Sequence, residues 1–383
     1  MPVQFEISDF GFEVSVRPIS KFPTVSVVIS PQFLFSVFRR TIPAMLPRRT
    51  FLLSLPFVIQ SLRSVDTLPA QLTDAEFWQM VTAFSEPGGF FQYENFVSNE
   101  ISYQEIMPDL VRIARQGAVY VGVAPEQNFT YISALQPKMA FIIDIRRQNM
   151  LEMLMYKALF EISPDRVEFA SRLFSRRPLG SRPATVEAIF RGIESTAANA
   201  PLFRETLQTV KDRLEKQHGF SLTAEDKRGI DKVFTVFYQG GPRMDYGFQS
   251  PTPNRSVPNY TRLMSTSDPR GKQWSYLAND ENYARIRQMQ QRNLIVPLVG
   301  DFTGPRTLKA VGQYVKQRGA MISAFYISNV EDYIRSGWNA YVSNVASMPV
   351  DDSSLFIRFQ PSAYTSLQSI RNFLKSNNVR ELR

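Results

Sequence analysis

Gly122 and Asp144, 22 positions apart, are the first residues along the chain whose types and spacing suggest ligand chemistry. An apolar run ends at Gly122. Pro125, Glu126, Gln127 and Asn128 follow, then a helix-like run through Leu135, and a second apolar run from Met139 to Ile143 closes on Asp144. This is the strand–loop–helix–strand–acid pattern of a nucleotide-handling βαβ unit. There a glycine lets backbone approach the ligand, and an acid about 20 residues on hydrogen-bonds a ribose. One glycine stands where a dinucleotide fingerprint has three, so the polar side chains of the loop are Glu126, Gln127 and Asn128.

Two later strand ends carry the same kind of residue. Leu294–Val299 runs into Gly300-Asp301-Phe302-Thr303-Gly304, and Ala320–Ile327 runs into Ser328-Asn329-Val330-Glu331-Asp332-Tyr333. Ligands of open α/β sheets bind beyond the carboxyl ends of the strands, so these residues converge if the strands are parallel neighbours. Each also has a purely structural reading. Asp144 suits a helix cap, Asp301 an Asx turn, and Asn329 the satisfaction of a strand end.

The elements that must position these residues alternate. Leu72 to Trp78 opens a helix with Thr73 as N-cap and Glu76 at the capping-box position, ending at the turn Glu86-Pro87-Gly88-Gly89. Residues 90–100 are aromatic and amide-rich without period, which suits a loop lining a site or an aromatic lid on the core edge. Tyr103 to Gln116 reads as a helix. After Asp144 a helix to Phe160 places Leu151, Leu154, Met155, Ala158 and Leu159 on one face. Residues 163–237 read as a helical insertion and 238–277 as a Pro/Gly-rich loop ordered by Tyr246, Tyr260, Trp274 and Tyr276. Helices over Asn279–Gln291 and Pro305–Arg318, a strand over Leu355–Phe359 and a last helix striped by Leu367, Ile370 and Leu374 complete the chain. Strands alternating with helices predict an α/β class: a Rossmann-like, mainly parallel, doubly wound sheet across residues 66–383.

Composition narrows the chemistry. The chain has 383 residues, 44% hydrophobic and 21% charged, which suits a globular protein. The net charge is +9, yet the arginines are scattered and no basic run is interleaved with aromatics, so nucleic acid is not an expected partner. There is no cysteine, which excludes disulfides, iron–sulfur clusters and thiol catalysis. The single histidine, His218 before Gly219, reads as a solvated helix C-terminus and excludes multi-histidine metal sites. Catalysis must use carboxylates, hydroxyls, amides or a bound cofactor.

Residues 1–65 read as an N-terminal extension. Arg48-Arg49-Thr50-Phe51-Leu52 precedes an uncharged stretch that ends at Arg63, a candidate twin-arginine export signal at 45–65 if Met45 is the true start. The stretch is too short to span a bilayer comfortably, so no transmembrane segment is expected in the mature chain. The protein is then exported; otherwise it is cytoplasmic, and this stretch is a buried helix. Residues 10–16 and 25–29 alternate as a hairpin does.

In the order of its four strand ends the chain resembles class I S-adenosylmethionine-dependent methyltransferases. The resemblance implies that Gly122 and its loop, with Glu126 and Asn128, hold the amino-acid end of S-adenosylmethionine, and that Asp144 holds the ribose. It further implies that Asp301 and Phe302 hold the adenine, and that Ser328 and Asn329 lie beside the substrate. The chain departs from the family in lacking the acidic-x-Gly-x-Gly-x-Gly signature and in placing the long insertion before Asp301. Residues from about 72 to 360 are also similar to an uncharacterised bacterial family with a Rossmann-like fold, which implies no activity.

Two functions follow. One is a methyltransferase-like enzyme using S-adenosylmethionine, whose sulfonium carries the reactivity while the protein orients. The other is a non-catalytic, exported Rossmann-like protein binding a small molecule or a partner through the 90–100 and 239–276 loops. Oligomeric state and acceptor are not legible.

Overall fold

The computed structural model describes residues 14–19, 22–27, 66–177, 183–248, 257–360 and 364–379. The chain divides into two units, Met1–Leu62 and Arg63–Arg383. In the first, Val14–Ile19 pairs antiparallel with Phe22–Val27, Val14 opposite Val27 and Ile19 opposite Phe22. The candidate export signal at 45–65 lies outside the described residues.

The second unit is α/β, and among its described residues six strands form one sheet. They are β1 (Val119–Gly122), β2 (Met139–Asp144), β3 (Ile295–Val299), β4 (Ile322–Ser328), β5 (Leu355–Gln360) and β6 (Tyr364–Ser369). Their order is β3-β2-β1-β4-β5-β6, with the first five strands parallel and β6 antiparallel to β5. The order reverses between β1 and β4, which is the topological switch point of a Rossmann-like sheet. β1 to β3 are buried along their whole length, as parallel strands covered on both faces must be. Register sets the heights of the strand ends. Gly122 pairs with Ile142 and Tyr326, Asp144 with Val299, and Ser328 with Arg358.

The helix Arg147–Ile162 follows β2 and packs on β2 and β3. Its other sides are covered by the helices Arg166–Phe174 and Ala224–Gly240 of the insertion and by Asp280–Gln291. Every residue from Asn149 to Glu161 is therefore buried, including Glu152, Lys157 and Glu161. A helix enclosed on all sides has no solvated face for its charges.

Several expected elements differ. Instead of one helix over Tyr103–Gln116 there is a 3-10 turn at Ile101–Gln104 and then a helix at Met107–Ile113. Pro108 lacks an N–H and sits in the first turn, where none is needed. Leu367 lies on β6, not on the last helix, which begins at Ile370. The 238–277 segment contains a helix, Tyr260–Ser265, and is pinned by an isolated bridge between Asp245 and Asn259. Tyr260 and Tyr276 are fully buried with their hydroxyls hydrogen-bonded to each other. The Thr73–Glu76 capping box is present, with Glu76 accepting the Thr73 N–H at 2.8 Å. No helix among the described residues is long and apolar enough to cross a membrane.

Candidate functional site

A cleft of about 240 Å³ opens beyond the carboxyl ends of β1 to β4. Val123 and Ala124 from the β1 loop, Asp144 and Arg146 beyond β2, Asp301 and Phe302 beyond β3, and Ser328 and Asn329 beyond β4 all line it. Of the residues singled out in the sequence, Asp144, Asp301, Phe302, Ser328 and Asn329 thus share one cleft. Gly122, Glu126 and Asn128 do not line it.

Those three residues shape the loop instead. Asn128 Nδ2 lies 2.8, 3.0 and 2.7 Å from the carbonyl oxygens of Val123, Ala124 and Pro125. Its Oδ1 accepts the Tyr120 hydroxyl at 2.8 Å. The loop curls around this amide, with Ala124 at φ 64°. Gly122 makes room for it, because a Cβ there would stand 1.9 Å from Asn128 Oδ1 and 2.8 Å from the Tyr120 hydroxyl. The space beside the glycine is filled by the Asn128 and Tyr120 side chains. Gly122→Ala is expected to cost about 1–3 kcal/mol through overpacking. Urea denaturation checks this, and an unchanged midpoint would refute the packing role.

Glu126 is fully buried. Its Oε1 accepts the Ser98 N–H at 3.3 Å, while Oε2 has no partner among the described residues. Burial, with a smaller contribution from Glu100, pushes its carboxyl up to about 8. Glu152 is equally buried, and neither of its oxygens has a hydrogen-bond partner among the described residues. Burial first, and then Glu126, raises it well above the ordinary carboxylate range. Glu126 therefore holds its proton at neutral pH, and burial disfavours the charged form of Glu152 in the same direction, because ionising either without a partner is costly.

Asp144 does not present a free carboxylate. Its Oδ1 accepts the Arg146 backbone N–H at 2.9 Å and Nε at 3.0 Å, and its Oδ2 accepts Nη2 at 2.9 Å. The acid ends β2 as expected, but its oxygens are turned to this ion pair. Arg146 also donates to the Tyr93 carbonyl at 3.3 Å, tying the 90–100 segment to the strand end. Asp301 forms an Asx turn in which Oδ1 accepts the Thr303 N–H at 2.7 Å and its hydroxyl at 2.8 Å.

Sequence reasoning did not single out Glu100, Asn95 or Asn99. All three come from the aromatic, amide-rich segment. Asn95 and Asn99 line the cleft, and Glu100, 1% exposed, does not line it but contacts the lining residue Ser328. Glu100 Oε1 accepts the hydroxyls of Ser328 at 2.5 Å and Tyr326 at 2.7 Å, and Oε2 accepts Gln127 Nε2 at 2.9 Å. The mouth is aromatic. Phe91 meets Tyr93 and Tyr333 edge-on, Tyr93 meets Tyr246, and Phe90 stands 87% exposed. Among the described lining residues Arg146 is the one cation, and it is spent on Asp144.

His218 differs from its expected place at a solvated helix end. The helix Ala200–Asp212 runs into a π-helical turn, Arg213–Gln217, which delivers His218 to a half-buried position. There Nδ1 lies 2.7 Å from Asp74 and Nε2 2.7 Å from Glu161. The described residues hold no group of three or more His, Cys, Asp or Glu suited to a metal ion.

A family model described as Domain of unknown function (DUF7790) matches residues 95–378, a span that contains all six strands and most of the cleft. No curated protein matches the chain.

Proposed function

The chain belongs to this domain family, and for it we propose that the switch-point cleft binds a small cationic, nucleoside-like molecule, S-adenosylmethionine being the named candidate, and supports transfer of its methyl group to a small acceptor. The observation that carries the reading is the charge of the cleft. The wall at the four strand ends holds Asp144, Asp301 and one arginine, and because Asp144 and Arg146 neutralise each other, Asp301 leaves the lining net negative. Such a wall repels the phosphates of a dinucleotide and suits a ligand with positive charge. The aromatic mouth offers faces for a planar base. Bound there, a sulfonium would supply a methyl group ready for displacement; the protein's part is to hold and orient. Asp301 Oδ1 closes its turn, and Oδ2, without a partner among the described residues, is left for the ligand.

A second reading, a binding protein without catalysis, is favoured by Asp144. With both oxygens on Arg146, it leaves the ribose position of the methyltransferase pattern without its acceptor. A titration of the full chain with S-adenosylmethionine, followed by calorimetry, separates the cofactor from other ligands. Micromolar binding is expected, weakened about tenfold in Asp301→Asn, which keeps the turn and removes the charge. No heat at millimolar ligand would remove S-adenosylmethionine and leave the second reading standing.

A further inference from the structure

We propose that Ser328 and Glu100 form a proton-accepting pair, in which the Ser328 hydroxyl relays to Glu100 the proton of an O–H or N–H group on a molecule bound in the cleft. This rests on reading the cleft as a substrate site, and not on which group is transferred there. Ser328 ends β4 with φ 52°, in the left-handed region that a non-glycine residue occupies only when its surroundings enforce it. That backbone turn places the serine in the cleft lining while its Oγ stays 2.5 Å from Glu100 Oε1. The carboxylate is fixed from the other sides by Tyr326 and Gln127. Gln127 is itself held by the Ser98 hydroxyl, and it donates to Tyr131 at 2.7 Å. A hydroxyl, a base within hydrogen-bond reach and a third group orienting the base are the geometric marks of an activated oxygen.

The environment of Glu100 suits a proton acceptor. No Lys or Arg pairs with it among the described residues, and the ionisable groups facing it are Glu126, Tyr120, Tyr131 and Tyr326. Burial raises its proton affinity above that of an ordinary carboxylate, and the hydrogen bonds from Ser328, Gln127 and Tyr326 moderate this. In the step itself, the X–H bond of the substrate breaks as its proton moves to Ser328 Oγ. The serine's own proton moves to Glu100 Oε1, which becomes a neutral acid, and the electron pair stays on X. The substrate class is therefore a molecule that must lose a proton as it reacts, such as an alcohol, phenol or amine.

The test is labelling of the full chain with a small alkyl fluorophosphonate, read by mass spectrometry of the Ser328 peptide. The new bond is O–P, fluoride leaves, and the serine proton goes to Glu100. Wild type is expected to be labelled at Ser328 at a rate that rises with pH as Glu100 ionises, and Glu100→Gln to be labelled at least tenfold more slowly. Tyr326→Phe keeps the carboxylate but removes a donor to its charged form, so its rate profile is expected to move to higher pH. Absence of the Ser328 adduct in wild type, equal rates in Glu100→Gln, or an unmoved profile in Tyr326→Phe would each overturn the relay. The assay contains no S-adenosylmethionine, so its outcome stands apart from that of the calorimetric titration.

Discussion

Replacing Glu161 by Gln is expected to lower the unfolding free energy by about 3–5 kcal/mol at pH 7, the usual cost of breaking a buried ion pair from one side. Glu161 is fully buried and holds three donors. Oε1 accepts Lys157 Nζ at 2.7 Å, and Oε2 accepts Arg213 Nε at 2.6 Å and His218 Nε2 at 2.7 Å. Lys157 is 1% exposed, and its one other hydrogen-bond acceptor among the described residues is the Gln290 carbonyl, at 2.5 Å. A glutamine would turn an N–H₂ group toward one set of donors and leave Lys157 buried without a counter-charge. The damage would spread, because His218 also reaches Asp74, and Asp74 accepts Asn293 Nδ2 at 2.8 Å. The cluster joins the helix Asp74–Phe84, the enclosed helix and the insertion.

The pH dependence gives this prediction its sharpest check. Burial alone would raise the Glu161 carboxyl, but the hydrogen bonds from His218, Lys157 and Arg213 outweigh it and bring the group from 4.5 down to about 2. A group whose folded value is depressed stabilises fully above its unfolded value and loses that contribution as pH falls toward the folded one. The deficit of Glu161→Gln should therefore be full above pH 4.5 and shrink steadily toward pH 2. Thermal unfolding at stepped pH reads the difference. A deficit that persists unchanged at pH 2 would show that Glu161 works through shape and not through charge.

How far the sequence reached depended on whether a feature was local. The runs Val119–Gly122, Met139–Asp144 and Ile295–Val299 read directly as strands because both faces of a parallel sheet are covered, so their apolar stretch is unbroken. Their ends converge by topology, which is why Asp144, Asp301, Phe302, Ser328 and Asn329 were legible as neighbours. β6 was not legible. Leu367, Ile370 and Leu374 fit a helical stripe, and only pairing with β5 shows that the first of them belongs to an edge strand. Glu100 was hidden for a different reason. Its segment has no period, and its role depends on Ser328, 228 positions away.

The charged residues of Arg147–Ile162 show the same limit from the energetic side. Read alone, Glu152, Lys157 and Glu161 belong on the wet face of an amphipathic helix. The insertion removes that face. What separates the three is whether a partner arrives with the covering helix. Glu161 receives Arg213 and His218, whereas Glu152 receives no hydrogen-bond donor among the described residues and burial raises its carboxyl. One covering layer thus lowers the carboxyl of one acid and raises that of another nine residues away on the same helix. The same rule applies at Glu126 and has a measurable consequence.

Glu126→Gln is expected to leave stability nearly unchanged at pH 4.5 and to raise it progressively relative to wild type toward pH 8. Glutamine keeps an oxygen for the Ser98 N–H that Glu126 accepts at 3.3 Å, and below pH 4.5 both side chains are neutral. Above it, the unfolded wild-type carboxyl releases its proton while the folded one, pushed up to about 8 by burial, holds it. A raised folded value contributes stability that is fully present below the unfolded value and is lost as pH rises through the folded one. The wild type should therefore fall behind the variant by about 1.4 kcal/mol per pH unit across this window, accumulating to roughly 5 kcal/mol. Urea midpoints at half-unit steps from pH 4 to 9 measure it. Parallel profiles would mean that Glu126 is ionised in the fold and that its Oε2 has found a partner. Diverging profiles would mean that the β1 loop buries a neutral acid two residues beyond the cleft-lining Ala124, and that this acid gains a negative charge near pH 8.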